Sequence, residues 1–434
     1  MSVHAPAVLA RLRALPVAGQ TSPARLLRLG AVLVVACLIT SIVSMASAGQ
    51  RQAALDEATG RVSSLTEVAA KLYHALADAD ATATSGYVVP GETNTDSATR
   101  ARYEADIAEA SSLLVTASSV LPRDNPAYSI VTIVSGKLPE YTGLVESARV
   151  YNRLGLPLGQ TYLGSASSLL RQSMLPAVAR LRELPDDALI ADYRAGGAIP
   201  YALALVGLGA LLAVIDAARR ERVRTHRILN PGLAAASALL VLTLLWWAVA
   251  MVLTGFYLSS ANRHSEASAA LDEARAAVLQ ARSNEALVLV ARSGISASDT
   301  GFTAQLDRVL APGGLLDRAE VRAGSGKDQV IQVRPLTQRW SQAHRRLREL
   351  DDGGQYRAAV ASSTGTDLLG SGAVFNQVDA AFDRATDAQR TSAREAAHSA
   401  RASQRGLDDG PATLALLAAI SAAGGITIRV LEYR

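Results

Sequence analysis

Cysteine, lysine and aromatic residues are scarce in this chain of 434 residues. It has one cysteine, Cys37, and 4% aromatic residues, and of its 43 basic residues only Lys71, Lys137 and Lys327 are lysines. A single thiol excludes an intrachain disulfide framework and a cysteine-based metal site. The low aromatic content, beside abundant Ala, Leu, Arg and Ser, disfavours β-sandwiches and barrels and favours helices.

Charge is absent from four long apolar runs, in a chain with 49% apolar residues and a mean hydropathy of +0.17. Each run is long enough to cross a hydrocarbon core of ~30 Å at about 1.5 Å per helical residue. The runs predict four transmembrane helices, at residues 29–48, 198–215, 233–258 and 411–428.

The charges between these runs predict which side of the membrane each segment faces. Residues 1–28, 216–232 and 429–434 together carry 11 basic and 3 acidic residues, so the positive-inside rule places this N-terminal segment, basic loop and tail in the cytosol. Both termini of a multi-pass cell-membrane protein are then cytosolic. Residues 49–197 and 259–410 lie outside. Ala46-Ser47-Ala48 also fits a signal-peptidase site, and cleavage there would leave the other spans unchanged in orientation.

Residues 49–197 show four amphipathic stripes separated by glycines and prolines. The first begins at Leu55, within two turns of the first span, and predicts one rod that continues outward to about Thr84. The third opens at Asn125-Pro126, a typical helix start. Four such helices with short connections predict an up-down-up-down bundle.

Residues 259–410 repeat this plan less cleanly. Stripes from Leu271, Phe302, Leu336 and Phe375 predict helices, while residues 330–333 fit either a helix or a short strand. The fold class that follows is an all-α membrane protein with four transmembrane helices and two extracytoplasmic helical bundles.

Signatures of catalysis are absent from the sequence. The six histidines lie in different segments without ligand spacing, and Gly324-Ser325-Gly326-Lys327 lacks the first glycine of a phosphate-binding loop because Val321 occupies its place. We therefore expect no enzyme, no metal site, no cofactor and no nucleic-acid partner. The uncharged spans also disfavour a carrier or pump.

The far tip of the first bundle is the candidate partner-binding surface. If the first and third helices rise while the others descend, two apolar loops meet there, far from the membrane. The alternative is that these side chains only cap the bundle core. The candidate residues are Tyr87, Val88, Val89, Leu156, Pro157 and Leu158.

Two charged groups have a functional and a plain interpretation. Asp78 and Asp80, with Arg149 and Arg153, either pair or bind a charged ligand near the tip, or are solvated charges. The basic cytosolic loop either docks an acidic protein face or orients the chain and binds anionic lipid. Its candidate contact residues are Arg219, Arg220, Arg222, Arg224 and Arg227.

One stretch of the first bundle resembles a known family. Leu144-Val145-Glu146-Ser147-Ala148-Arg149, Arg153-x-Gly155-x-Pro157-x-Gly159, Tyr162-Leu163 and Ala166-Ser167 are similar to GlnX-type actinobacterial four-span membrane sensors. The motif residues are Glu146, Arg149, Arg153, Gly155, Gly159 and Tyr162.

This resemblance implies a signalling pathway. Such sensors act with a solute-binding lipoprotein that captures amino acids such as aspartate and glutamate outside the cell. These sensors relay the presence of the amino acids to the cytosolic serine/threonine protein kinase G. The resemblance implies amino-acid sensing by signal transduction across the membrane. Apart from the resemblance, the basic loop predicts membrane lipids as further partners, and a homodimer stays open.

Three hypotheses about function stay open. In the first, the tip binds a liganded lipoprotein and the helices shift by small piston or rotation steps. In the second, the chain is a chemoreceptor-like receptor that holds a small ligand between helices of a bundle. In the third, it is a non-sensory membrane scaffold for envelope proteins.

Overall fold

The computed structural model describes residues 31–43, 63–88, 94–183, 204–219, 231–291, 297–364, 369–404 and 410–432. Every regular element in these ranges is helical, which confirms the all-α prediction. The helices are α1 (Ala31–Val43), α2 (Ser63–Val88), α3 (Asn94–Val120), α4 (Pro126–Arg153), α5 (Leu158–Leu169), a π-helical turn (Leu170–Met174), α6 (Leu175–Glu183), α7 (204–219), α8 (Pro231–Ala291), α9 (Ala297–Leu310), α10 (Leu315–Arg322), α11 (Lys327–Asp352), α12 (Tyr356–Thr364), α13 (Ser371–Gln404) and α14 (Gly410–Glu432).

Local signals set several of these boundaries. The side-chain oxygen of Asn125 accepts a hydrogen bond from the backbone N–H of Ala127 at 2.8 Å, and Pro126 is the first residue of α4. Both are favoured at a helix start, because the cap satisfies an N–H that has no partner within the helix and proline lacks one. The predicted start of this helix is confirmed. Residues 330–333 lie inside α11, so the helical alternative is the correct one.

Two of the described helices are long and apolar enough to cross a membrane: α8 and the Gly410–Ile428 part of α14. The shorter α1 is also apolar. The predicted spans 29–48 and 198–215 lie partly outside the described residues. Two apolar helices suggest a membrane location, while four spans and two cytosolic termini stay predictions.

The chain divides into two compact units, of which the first comprises Met1–Leu55, Ala191–Gly255 and Arg401–Arg434. Its described helices approach one another closely at glycines. A Cβ atom on Gly232 would lie 2.4 Å from the Cα of Gly425, which only a residue without a side chain avoids. Leu205 and Val252 face outward, each with 70% of its surface exposed. Such an apolar exterior is typical of helices in contact with lipid.

The second unit comprises Asp56–Ile190 and Phe256–Ala400, so it contains residues from both predicted bundles. These residues share one apolar core, in which Leu72 and Tyr141 belong to the same cluster as Leu271, Trp340 and Phe382. Burial of this continuous apolar surface is the main force that holds the two segments together.

Candidate functional site

The turn between α4 and α5 lies against the end of α2, as the tip prediction requires. The side-chain amide of Asn152 donates to the carbonyl oxygen of Tyr87 at 3.0 Å. Gly155 has φ +69°, a conformation that L side chains rarely adopt. A Cβ atom on Gly159 would lie 2.5 Å from the Tyr87 hydroxyl and 2.9 Å from the carbonyl oxygen of Ala148. The two motif glycines therefore permit the turn and the close approach of α2.

The candidate tip residues divide into buried and exposed ones. Val88 is buried in a small cluster with Ala148 and Leu163, so it caps the core, whereas Leu156 and Leu158 are each 46% exposed. The neighbouring Leu154, the first residue of the same apolar loop, is 64% exposed. Pro157 is exposed and Tyr87 is partly buried, and Val89 lies outside the described residues. We call the exposed trio Leu154, Leu156 and Leu158 the leucine turn.

The cluster beneath the leucine turn also contains residues of the second outer segment. Val88 and Leu163 share it with Leu289 and Leu347. The side-chain amide of Gln160 donates to the carbonyl oxygen of Val290 at 2.7 Å. This end of the unit is thus built by both outer segments.

The other motif residues support α4 and α5. Arg149 pairs with Glu146 at 2.5 Å, and its guanidinium lies 4.3 Å from the centre of the Tyr103 ring. The ring of Tyr162 stacks on Tyr151, with centroids 5.3 Å apart. Arg153 is an exposed residue in the last turn of α4, where a cation complements the helix dipole.

The interpretation of Asp78 and Asp80 as solvated charges is wrong. Asp78 is 7% exposed and Asp80 is 3% exposed. The two oxygens of Asp80 accept hydrogen bonds from Ser167 at 2.6 Å and Ser283 at 2.8 Å. Asp80 therefore joins α2, α5 and α8, and these partners are too distant in sequence to be foreseen. One signal was present: these are the only charges in the alanine-rich stretch 75–83.

Asp78 begins a chain of paired charged side chains, in which Arg102 is 43% exposed and the two aspartates are buried. Its carboxylate accepts two hydrogen bonds from the Arg102 Nη2 atom, at 2.8 and 3.0 Å, and one from Nε. Arg102 also contacts Asp379 at 3.2 Å, and Asp379 in turn binds Arg275 at 2.8 Å. We call these four residues the first network. Burial raises the pKa of Asp78, although Arg102 opposes the shift.

Asp106 and His74 lie near the first network, and both have a perturbed pKa. Burial and the charge of Asp78 raise the pKa of Asp106 to about 8, and its Oδ2 atom has no hydrogen-bond partner among the described residues. Burial and the positive charge of Arg275 lower the pKa of His74 to about 3. At neutral pH both side chains are therefore uncharged.

A second network centres on Glu285, which has no exposed surface. Its carboxylate pairs with Arg282 and contacts the Nδ1 atom of His344 at 2.8 Å and the Ser371 hydroxyl at 2.5 Å. The other ring nitrogen of His344 lies 3.2 Å from Asp299. Burial alone would raise the pKa of Glu285, but its hydrogen bond to His344 and the charge of Arg282 lower it overall.

A cavity of about 240 Å³ lies beside the two networks. It is bordered by α2, α3, α8, α12 and α13, and its charged lining residues are Asp78, Arg102 and Arg282. Sequence patterns did not reveal this cavity, because its walls come from both outer segments.

The predicted cytosolic contact lies almost wholly outside the described residues. Arg219 is the exposed last residue of α7. The positions of Arg220, Arg222, Arg224 and Arg227 are not described.

One part of this chain matches a known protein family model. A family model described as the actinobacterial sensor domain matches residues 54–194. These residues contain α2 to α6, with the leucine turn and both buried aspartates, and the match suggests a sensing role. No curated protein and no solved structure matches the chain.

Proposed function

We propose that this chain is a transmembrane sensor of the GlnX type. It reports extracytoplasmic amino acids of the aspartate and glutamate class, captured by a solute-binding lipoprotein, to a cytosolic serine/threonine protein kinase. The observation that carries the proposal is the leucine turn, an exposed apolar surface within the segment that matches a sensor domain.

Docking of a protein on the leucine turn is physically reasonable. Three exposed leucines within five residues form a compact apolar surface, and such surfaces on soluble regions mark binding sites more often than scattered single side chains do. The hydrogen bond from Asn152 to Tyr87 and the close packing at Gly159 hold the turn against α2, so binding costs less ordering entropy than it would for a free loop.

Helix α8 supports a relay of the signal. It runs without a break through 61 residues, and the boundary between the two units falls between Gly255 and Phe256 within it. A continuous hydrogen-bonded helix moves as one body along its axis, so a small shift at one end is transmitted to the other. In this proposal the basic loop, including Arg222 and Arg224, passes the shift to the kinase or its partner.

The docking proposal is tested by co-purification in mild detergent with the solute-binding lipoprotein, with and without glutamate. We expect Leu156→Glu to abolish capture, because a carboxylate in an apolar contact is left unpaired. The matched control is Val115→Glu, on α3 within the same sensor segment, where the side chain is 68% exposed. Unchanged capture by Leu156→Glu would remove the leucine turn as the docking surface.

The relay is tested by the phosphorylation of kinase substrates in cells given glutamate. We expect the response to disappear when Arg222 and Arg224 are both changed to Gln. Changing both to Lys keeps the charge, and this control preserves the response if the loop needs only a positive charge. A response that persists in the Gln variant would contradict this route.

A further inference from the structure

The cavity beside the two networks is small, partly open to solvent, and lined by both charged and apolar side chains. Its volume of about 240 Å³ corresponds to about eight water molecules at roughly 30 Å³ each, below the roughly 300–1,000 Å³ of pockets for drug-sized ligands. It therefore suits a metabolite of a few carbon atoms. Besides the three charged residues, its walls are formed by Ala81, Thr82, Ser85, Ala98, Thr99, Thr364, Gly372, Phe375 and Asn376.

The charged side chains around the cavity form ion pairs with one another. Asp78 and Arg102 form a pair on the α2 and α3 side, and Arg282 on α8 is paired with Glu285. Behind them, Asp379 is paired with Arg275. The two pairs at the cavity wall, Asp78 with Arg102 and Glu285 with Arg282, comprise two carboxylates and two guanidinium groups, so a ligand with a net charge would add an uncompensated charge beside them.

A zwitterion adds no net charge beside these pairs and offers one group to the carboxylate and another to the guanidinium groups. Its carboxylate accepts hydrogen bonds from the planar guanidinium groups of Arg102 and Arg282, which match that shape. Its ammonium group lies against Asp78, a buried carboxylate that the ligand then shares with Arg102. The side chain of the ligand then contacts Phe375 and Ala98.

We infer that this cavity binds a free amino acid directly, as a zwitterion between Asp78 and the guanidinium groups of Arg102 and Arg282. This site is separate from the leucine turn and needs no lipoprotein. It adds a receptor function of the chain itself to the proposed function.

The position of the site links ligand binding to the second network. Arg282 lines the cavity, lies 5.2 Å from the centre of the Phe375 ring, and holds the buried Glu285. A ligand carboxylate competes with Glu285 for Arg282. Binding therefore changes the contacts of Glu285 with His344 and Ser371, on α11 and α13.

The test is isothermal titration calorimetry on the purified full chain in detergent, without any lipoprotein. The probes are the common L-amino acids one by one, with succinate as a ligand that lacks the ammonium group and a simple alkyl amine that lacks the carboxylate. We expect saturable binding of at least one amino acid and at least tenfold weaker binding of the two partial ligands. Absence of binding by every amino acid would overturn the inference.

A pair of variants locates the site without disturbing the charges. Ala98→Phe places a ring in the cavity from an exposed position on α3, and Ala105→Phe places the same ring on an exposed position of the same helix outside the cavity. We expect at least tenfold weaker binding in the first and unchanged affinity in the second. Wild-type affinity in Ala98→Phe would overturn the assignment of the site.

Two further variants separate this inference from the docking proposal. Asp78→Asn should weaken amino-acid binding at least tenfold, while Asp383→Asn, at an exposed partner of Arg275 outside the cavity, should not. Leu156→Glu should leave calorimetric binding unchanged. Loss of lipoprotein capture alone therefore concerns the leucine turn, and loss of calorimetric binding alone concerns the cavity.

Discussion

The buried carboxylate of Glu285 offers a sharp test of how charge stabilises the second unit. Glu285 has no exposed surface, and its partner Arg282 is only 6% exposed. Glu285→Gln keeps the size of the side chain and one acceptor oxygen for His344 or Ser371. It removes the negative charge and leaves the guanidinium group of Arg282 buried without a counter-charge.

Breaking a buried ion pair in this way costs about 3–5 kcal/mol. Because the glutamine oxygen still accepts one hydrogen bond, we expect the lower end, about 3 kcal/mol. At about 2 °C per kcal/mol, Tm should fall by about 6 °C. The pKa of Glu285 is lowered from its ordinary value of 4.5, so its negative charge stabilises the folded state above pH 4.5, and this stabilisation is lost as the pH falls further. The difference between wild type and variant should therefore shrink under acidic conditions.

Tryptophan fluorescence of the full chain in detergent provides the measurement. The indole Nε1 atom of Trp340 donates to the Ser371 hydroxyl at 2.8 Å, and that hydroxyl contacts Glu285. In a background where Trp246 and Trp247 are changed to Phe, Trp340 is the single reporter. The control is an exposed ion pair on α3, Arg100 with Glu104 at 2.9 Å, where Glu104→Gln should cost less than about 1 kcal/mol.

A double variant decides whether the pair is the cause. The cost of Glu285→Gln should come from the uncompensated guanidinium group of Arg282. The double variant Glu285→Gln/Arg282→Gln should then lose about 1–3 kcal/mol less stability than the sum of the two single variants. Additive costs, or a change below about 0.5 kcal/mol for Glu285→Gln alone, would refute this reasoning.

Three further changes test other parts of the second unit. The folded-state pKa of Asp106 is raised to about 8, so its protonated side chain contributes stability that is complete below its ordinary pKa and declines as pH rises to about 8. Urea titrations should therefore show that Asp106→Asn gains stability relative to wild type between pH 5 and pH 9. A constant difference would contradict this. Gly159→Ala should cost about 1–3 kcal/mol in thermal unfolding because its Cβ meets the Ala148 carbonyl, whereas Gly164→Ala, with open space on the same helix, should be neutral or stabilising; equal effects would refute the close approach. Tyr141→Phe removes a fully buried hydroxyl that has no partner among the described residues and should raise stability by about 1 kcal/mol, so a clear loss of stability would show that this hydroxyl makes a favourable bond.

The sequence predicted those parts of the fold that depend on neighbouring residues. Asn125-Pro126 marks the start of α4 because capping and the proline restriction act within one turn. The apolar stripe of α4, including Val131, Val134 and Leu138, is buried as its period required. The short helices α10 and α12, of 8 and 9 residues, were not predicted, because little more than two turns give too little periodicity to recognise.

The candidate site was predictable only in part. The leucine turn meets Tyr87 as expected, since alternating helix directions bring the two loops together. The partners of Asp80 could not be predicted, because Ser283 is 203 residues away in sequence and reaches Asp80 only through packing of the second outer segment. Packing of the second outer segment also buries Asp78 and Asp80, which a surface helix would expose to water.

Residues 54–194 contribute only part of an apolar core that Leu271, Trp340 and Phe382 complete. A gene piece that encoded this stretch alone would produce a chain whose uncovered faces aggregate in water. The two outer segments therefore fold as one cooperative unit, because each needs the other to cover its apolar face.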